Sequence, residues 1–393
     1  MTPAARVQAA IEILDEVIDA AKSGGAPADR IISAYFKARR YAGSKDRRAV
    51  RELVYSAIRA CGEVPAGGRA AVLRLAEEDR ALGDLFDGST HGPAPIFPDE
   101  PVAEGGAVPA WLVERLHKSG LDDADIAALM DRAPLDIRVN ALKADRASLE
   151  LPVEGERLQS ANGIRLPAGT PVEQWEVYRE GLVEVQDLGS QLVCEAVGAQ
   201  PGETILDLCA GAGGKTLGLA AQMEGQGVLI ASDTDRGRLS KLGPRAERAG
   251  AAELIHSRLL DPGKEFDPLS DLAGQIDCVL IDAPCSGTGT LRRKPETKWR
   301  ITPERLNRFA KTQDYLLDLA CKLMAPEGRI VFVTCSLLDT EGKDRIASFL
   351  QRNQGFETRE IAMPLGRDHG QGMRLTPFHD GTDGFFVAML GSS

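Results

Sequence analysis

LDLCAGAGGKT (206–216) runs an apolar strand into a turn with three glycines and a closing Lys-Thr, and a helix-forming run follows. A nucleoside-triphosphate loop would read glycine, four residues, then Gly-Lys-Ser/Thr, so that its backbone wraps the phosphates. Counting back from Gly214-Lys215-Thr216, the first position is Cys209. The signature fails there, and nucleotide hydrolysis is set aside. What remains is a Rossmann-type turn, in which glycines let the backbone approach a ligand and an acidic residue about 20 positions on takes ribose hydroxyls. GVLIASD (227–233) puts Asp233 at the end of the next apolar run, with capping of the following helix as its competing role.

The neighbouring segments keep the same pattern. TILDLC (204–209), GVLIASD, ELIHSRL (253–259), DCVLIDAP (277–284), GRIVFVTCS (328–336) and GFFVAML (384–390) are separated by helix-length stretches. Short continuous apolar runs suit parallel strands buried on both faces. The expected fold is α/β, a doubly wound Rossmann-like domain over 187–393, with the last run closing the sheet antiparallel. Ahead of it, PLDIRVNALK (134–143) and EGLVEVQD (180–187) read as strands of a small mixed subdomain spanning 110–186. Residues 1–90 carry apolar positions at helical spacing, among them Val7, Ile11, Leu14, Ile18, Ile32, Phe36, Val50, Val54 and Ile58. Breaks at KSGGAPAD (22–29) and YAGSKD (41–46) suit helix–helix turns, with Asp29 and Ser44 as caps. Residues 91–109, rich in Gly and Pro, read as a linker.

The 393 residues have an ordinary globular composition, 43% hydrophobic and 27% charged, with no apolar stretch of membrane-spanning length and no leader-like N-terminus. Seven cysteines, odd in number and never spaced Cys-x-x-Cys, point away from a disulfide scaffold or zinc site and toward a reducing, cytoplasmic setting. The five histidines are dispersed, and no metal is expected. The net charge of −11 is a global average, and two local basic stripes stand against it: RRYAGSKDRRAVR (39–51) and LRRKPETKWRITPERLNR (291–308).

Two loops narrow the chemistry. DAPCSGTG (282–289) and VTCS (333–336) each follow an apolar strand, and in open α/β sheets ligands lie beyond the carboxyl ends of the strands. Asp282, Cys285 and Cys335 are thereby candidates for one crevice, whereas Cys61, Cys194, Cys278 and Cys321 read as inert packing. A thiol, an acid and an adenosine cofactor suit methylation at C5 of a pyrimidine. Thiolate addition at C6 turns the ring into an enamine whose C5 attacks a methyl group, and an acid at N3 stabilises the charge that develops.

LDLCAGAGGKT, DAPCSGTGTLRRKPETKW (282–299), VTCS and DGTDGFFVAML (380–390) together resemble the RNA cytosine-5 methyltransferases of the Sun/RsmB family, whose RsmB branch acts on 16S ribosomal RNA. The likeness runs over about 105–393 and includes PAWLVERL (109–116), PLDIRVN (134–140) and EGLVEVQDLGSQ (180–191). It implies S-adenosylmethionine as cofactor, with Cys335 as nucleophile, Cys285 assisting product release, and Asp282 meeting both target base and cofactor. Cys209, Ala210, Gly211, Ala212, Gly213, Gly214 and Lys215 would wrap the cofactor, with Asp233 on its ribose. Arg292, Arg293, Lys294, Lys298 and Arg300, directly after the catalytic loop, would hold RNA phosphates, and Trp299 would stack or pack. GSKDRRAVRELVYSAIRA (43–60) resembles part of a NusB-like RNA-binding domain, in a shorter form than the family's. Two departures stand out: Gly211-Ala212 replaces the family's Ala-Pro, and Leu259 occupies the usual acidic adenine-binding position, with Asp261 two residues on. The expected partner is RNA, ribosomal before transfer RNA, with no membrane and a monomeric enzyme. A non-catalytic RNA-binding assembly factor of the same fold is the rival from another class.

Overall fold

Two compact units make up the computed structural model, which describes residues 1–393: Met1–Arg132 with Thr290–Thr302, and Ala133–Gly289 with Pro303–Ser393. The chain leaves the second unit after Gly289 and returns at Pro303. The expected subdomain from 110 is therefore divided. Helix Ala110–Lys118 belongs to the first unit, and the strands begin at Leu135 in the second.

The first unit is helical, with helices Pro3–Ser23, Ala28–Ala38, Ser44–Ala60 and Gly68–Ala76. Thr2 starts the first helix by accepting from the Ala5 amide at 3.1 Å, and Gly24 ends it in the left-handed conformation at φ 75°. The inward stripes pack together through Val7, Leu14, Ile18, Ile32, Val54 and Ile58. The expected caps fall elsewhere. Asp29 lies inside the first turn of its helix, whose Ala28 amide is met instead by Glu296 Oε1 at 3.2 Å. Ser44 is the first helical residue, and Asp46 reaches back to the Gly43 amide at 3.2 Å.

The second unit opens with a four-stranded antiparallel sheet: β1 (Leu135–Val139), β2 (Glu156–Arg157), β3 (Gly163–Leu166) and β4 (Val183–Val185), in the order β2-β3-β1-β4. The main sheet follows. Its parallel strands are β5 (Thr204–Asp207), β6 (Val228–Asp233), β7 (Ile255–Leu259), β8 (Ile276–Asp282) and β9 (Met324–Thr334). Four further strands complete it: β10 (Phe356–Arg359), β11 (Arg367–Asp368), β12 (Met373–Leu375) and β13 (Phe385–Ser392). The order is β11-β12-β13-β9-β8-β5-β6-β7, with β10 also on β13.

As expected from the last apolar run, β13 is antiparallel to β9, pairing Phe386 with Thr334 through Gly391 with Arg329. Apolar residues of the central strands face both layers: Ile205, Leu280 and Val333 pack into one cluster, Leu206, Ile281 and Phe332 into the other. Each such side chain withdrawn from water contributes about 1.5–3 kcal/mol, which is why these strands read as unbroken apolar runs. The strand order reverses at β5, from which the chain adds β6 and β7 on one side and then β8 and β9 on the other. A doubly wound sheet opens its binding crevice at that switch.

Candidate active site

The carboxyl ends of β5, β6, β8 and β9 surround a cleft of about 420 Å³. Its walls include Cys209, Asp233, Asp282, Cys285 and Cys335, with Phe309 and Thr312 from helix Pro303–Leu323. Of the expected cofactor turn, Cys209 lines the cleft, and residues 210–215 lie behind it. Gly211 and Gly213 hold φ values of 57° and 83°, and a Cβ at these positions would collide with the Arg238 guanidinium and the Leu242 side chain respectively. The left-handed conformation favours glycine at both positions, and at 213 the Leu242 side chain leaves no space for a Cβ either. Ala210 is fixed by its amide on the Ser232 carbonyl at 2.9 Å, and Gly214 begins the helix that runs to Gln222. Ala212 offers its carbonyl to Arg245 at 2.6 Å.

Asp233 braces this turn by accepting from the Gly211 amide at 2.8 Å and the Asp235 amide at 2.7 Å. It does not cap the next helix; Asp235 does, through the Arg238 amide at 3.0 Å. At the end of β7 the wall residue is Leu260, so the cleft meets an apolar side chain there. The Cys209 thiol is pushed far up by burial and by the charges of Asp207, Asp233 and Asp282, which marks it as wall rather than nucleophile.

Lys215 turns from the helix start toward Asp282, and Nζ lies 2.7 Å from Oδ2. Burial opposes the charge on Lys215, but the Asp282 carboxylate outweighs it and holds the ammonium well above its ordinary range. Sequence spacing grouped Lys215 with the cofactor turn; its pairing with the Asp-Ala-Pro-Cys loop is a product of the fold. Behind it Asp207, fully buried, accepts from Thr216 Oγ1 at 2.7 Å and keeps its other oxygen unpartnered. Burial pushes its carboxyl up to about 7. Because the folded value exceeds the unfolded one, stability from this group is complete below about pH 4 and is lost as pH rises through about 7. Asp207→Asn should therefore gain on wild type between pH 5 and pH 8, by about 2–3 kcal/mol. Urea melts at the two pH values test this, and an equal difference at both would refute it.

Cys285 and Cys335 meet across the cleft, with their sulfurs 3.4 Å apart. Both are partly exposed and unbridged. The Cys285 thiol is raised by its hydrogen bond to Cys335, by burial, and by the charges of Cys335 and Glu341. Either sulfur can donate to the other across this distance. The main chains are tied as well, the Gly289 amide donating to the Cys335 carbonyl at 2.9 Å.

The basic stripe divides. Lys298 is fully buried in the first unit, where its ammonium donates to the carbonyls of Ala107 at 2.8 Å and Arg59 at 3.4 Å. Burial lowers its pKa to about 7. Arg300 donates to the carbonyls of Gly25 and Ala26 at 2.8 and 2.6 Å. Arg292 is 5% exposed, and Trp299 packs in the helical core. These residues anchor the 290–302 segment, a use that their charge concealed. Arg293 and Lys294 are the two exposed members. Glu341, buried between the two cysteine loops, carried no spacing signal at all.

Residues 195–391 match the model of the family described as 16S rRNA methyltransferase RsmB/F. The chain is 32% identical over 306 residues to the probable ribosomal RNA small subunit methyltransferase B of Synechocystis, covering 74% of this chain and 68% of the relative. It is 31% identical to the Bacillus subtilis protein of the same description, over 72% of this chain and 66% of that one. The match therefore spans about two thirds of each relative's length. Among solved structures, PH0851 superposes with a TM-score of 0.77 at 24% identity, over 98% of this chain and 99% of that one. NSun6 from Pyrococcus horikoshii, solved with the S-adenosylmethionine analogue SFG, superposes at 0.61 and 19% identity, over 69% and 94%. These superpositions establish a shared fold.

Proposed function

The chain belongs to the 16S rRNA methyltransferase RsmB/F family, and on that premise we propose that it methylates C5 of a cytosine in 16S ribosomal RNA by covalent thiolate addition. The observation that carries the proposal is the sulfur pair 3.4 Å apart in a cleft shared with Asp282. A packing core has no use for two partly exposed thiols at strand ends, and a reaction with a covalent stage does.

The residues fit S-adenosylmethionine. Cys209 brings the start of the turn to the cleft wall beside Arg238, and Asp233 stands at the β6 end for ribose hydroxyls. Bound there, the cofactor supplies an electrophilic methyl group. Cys335 adds through Sγ to C6 of the flipped base. The Lys215 ammonium, donating to Asp282 over 2.7 Å, meets the N3 edge together with Asp282 and supplies the hydrogen bond that the developing charge requires. Lys215 also sets a positive charge within electrostatic reach of the Cys335 sulfur. Once C5 has gained the methyl group and given up its proton to a water molecule acting as base, the C6–S bond breaks, and the Cys285 S–H stabilises the leaving Cys335 thiolate by hydrogen bonding.

Of the basic stripe, Arg293 and Lys294 are the phosphate-binding candidates. Lys294→Ala should weaken RNA binding and lower the salt slope of log K by about 1 without changing the melting temperature. Lys298→Ala should instead destabilise the protein by roughly 2–4 kcal/mol, because it leaves buried carbonyls unpaired. Filter binding across salt concentrations and thermal melts separate the two. Equal loss of affinity at unchanged stability would return Lys298 to the RNA surface. The helical unit is assigned to RNA holding, the enzyme to the cytoplasm and the monomeric state. The substrate is tested with methyl-labelled cofactor on unmodified 16S ribosomal RNA and on transfer RNA. At least about tenfold faster labelling of the ribosomal RNA is expected, and preference for transfer RNA would overturn that choice.

A further inference from the structure

Each cleft cysteine is followed by a serine, Ser286 after Cys285 and Ser336 after Cys335, and both serines converge on one carboxylate. Glu341, on the short turn Asp339–Glu341, is fully buried. Its Oε1 accepts from the Ser286 amide at 2.8 Å, and its Oε2 accepts from Ser336 Oγ at 2.7 Å and from Ser286 Oγ. The two hydroxyls also meet each other at 3.2 Å. Thr288 Oγ1, 3.1 Å from Ser336 Oγ, accepts from the Leu337 amide at 2.9 Å. Gln313, which hydrogen-bonds the carboxylate, also donates to the Pro284 carbonyl at 2.9 Å.

The turn itself is held from outside. Asp339 takes Lys343 and His369 at 2.5 Å and Arg374 at 3.1 Å, and a Cβ at Gly342 would strike the Phe386 ring. Glu341 thus has a rigid base and meets its partners only through hydrogen bonds, from two loops 50 residues apart in sequence.

We propose that Glu341 is a positioning residue that clasps the Cys285 and Cys335 loops through Ser286 and Ser336 and so sets the distance between the two thiols. A buried carboxylate is a costly way to join two loops, since an apolar contact would hold them without desolvating a charge. What the carboxylate adds is direction: hydrogen bonds at 2.7–2.8 Å fix the residue next to each sulfur far more narrowly than packing does. The need for that narrowness rests on the methyltransfer reading, in which one thiol must attack C6 while the other stays in hydrogen-bond reach of it.

The experiment uses full-length Glu341→Gln, with Ser336→Ala as the milder second variant. Glutamine keeps the shape but offers one acceptor oxygen in place of two, so the serine donors must rearrange. Two readouts are taken on protein shown by its melt to be folded: closure of the Cys285–Cys335 disulfide by oxidised dithiothreitol, which needs no RNA, and the kcat and KM of methyl transfer. Expected are closure slowed roughly tenfold, as the effective concentration of one thiol at the other falls, and kcat lowered by about 100-fold with both KM values within about threefold. If the glutamine variant does not fold, the serine variant is judged by the same direction of change. Closure at the wild-type rate, or unchanged kcat, in a folded variant overturns the clasp. Absence of methyl transfer in wild type would instead strike the proposed function, leaving the closure comparison to decide the clasp alone.

Discussion

Cys335→Ala should abolish methyl transfer to RNA, with a residual rate at least about ten-thousand-fold below wild type. Without the sulfur, C5 of cytosine has no enamine to make it nucleophilic, and no other group in the cleft can replace the lost covalent stage. Lys215 is held protonated by its pairing with Asp282, and Cys209 is held as a thiol by burial and three nearby carboxylates. Cys285 is the remaining rival nucleophile at the cleft, and its thiol is pushed up by the hydrogen bond to Cys335 and by burial. The substitution is small and lies at the edge of the core, so the melt should stay near wild type while single-turnover labelling disappears. A variant within tenfold of wild type would place the nucleophile elsewhere.

Cys285→Ala should do the opposite at one step. It leaves attack by Cys335 possible and removes the hydrogen bond, 3.4 Å long in the resting cleft, that stabilises the departing thiolate. Hydrogen bonds to charged groups contribute about 1.5–3 kcal/mol, so release should slow by roughly 10–100-fold. A protein–RNA species that survives denaturation should then accumulate, and its formation should depend on cofactor. The double variant with Cys335→Ala should form none. Denaturing gels with end-labelled RNA read both results. An adduct that persists in the double variant, or none in Cys285→Ala while methylation continues, would remove the assigned roles of the pair.

What could be read in the sequence follows from the range of the forces involved. The parallel strands were legible because burial on both faces leaves unbroken apolar runs, and the loops that follow such runs are where a doubly wound sheet gathers its chemistry. Asp282, Cys285 and Cys335 stood out for that reason. The glycine turn was legible because the φ values of 57° and 83° found at 211 and 213 favour glycine. The long-range pairings were hidden. Glu341 joins residues 55 positions upstream, and no local pattern distinguishes it from a solvent-facing glutamate. The basic stripe misled in part because charge announces a side chain without saying where it ends. Lys298 and Arg300 spend their donors on backbone carbonyls of the helical unit, whereas Lys294 stays exposed. Helix starts misled for a similar reason: Glu296, more than 250 residues away in sequence, meets the amide that Asp29 was expected to serve.

The most direct test of C5 methylation is mass analysis of nucleosides. Unmodified 16S ribosomal RNA is incubated with the wild-type protein and S-adenosylmethionine carrying a deuterated methyl group, digested, and separated by liquid chromatography. The thiol pair and the Asp282–Lys215 couple predict that the label appears as 5-methylcytidine. Label in an exocyclic N-methyl nucleoside, or in a 2′-O-methyl ribose, would contradict covalent thiolate catalysis, because neither position needs a nucleophile at C6.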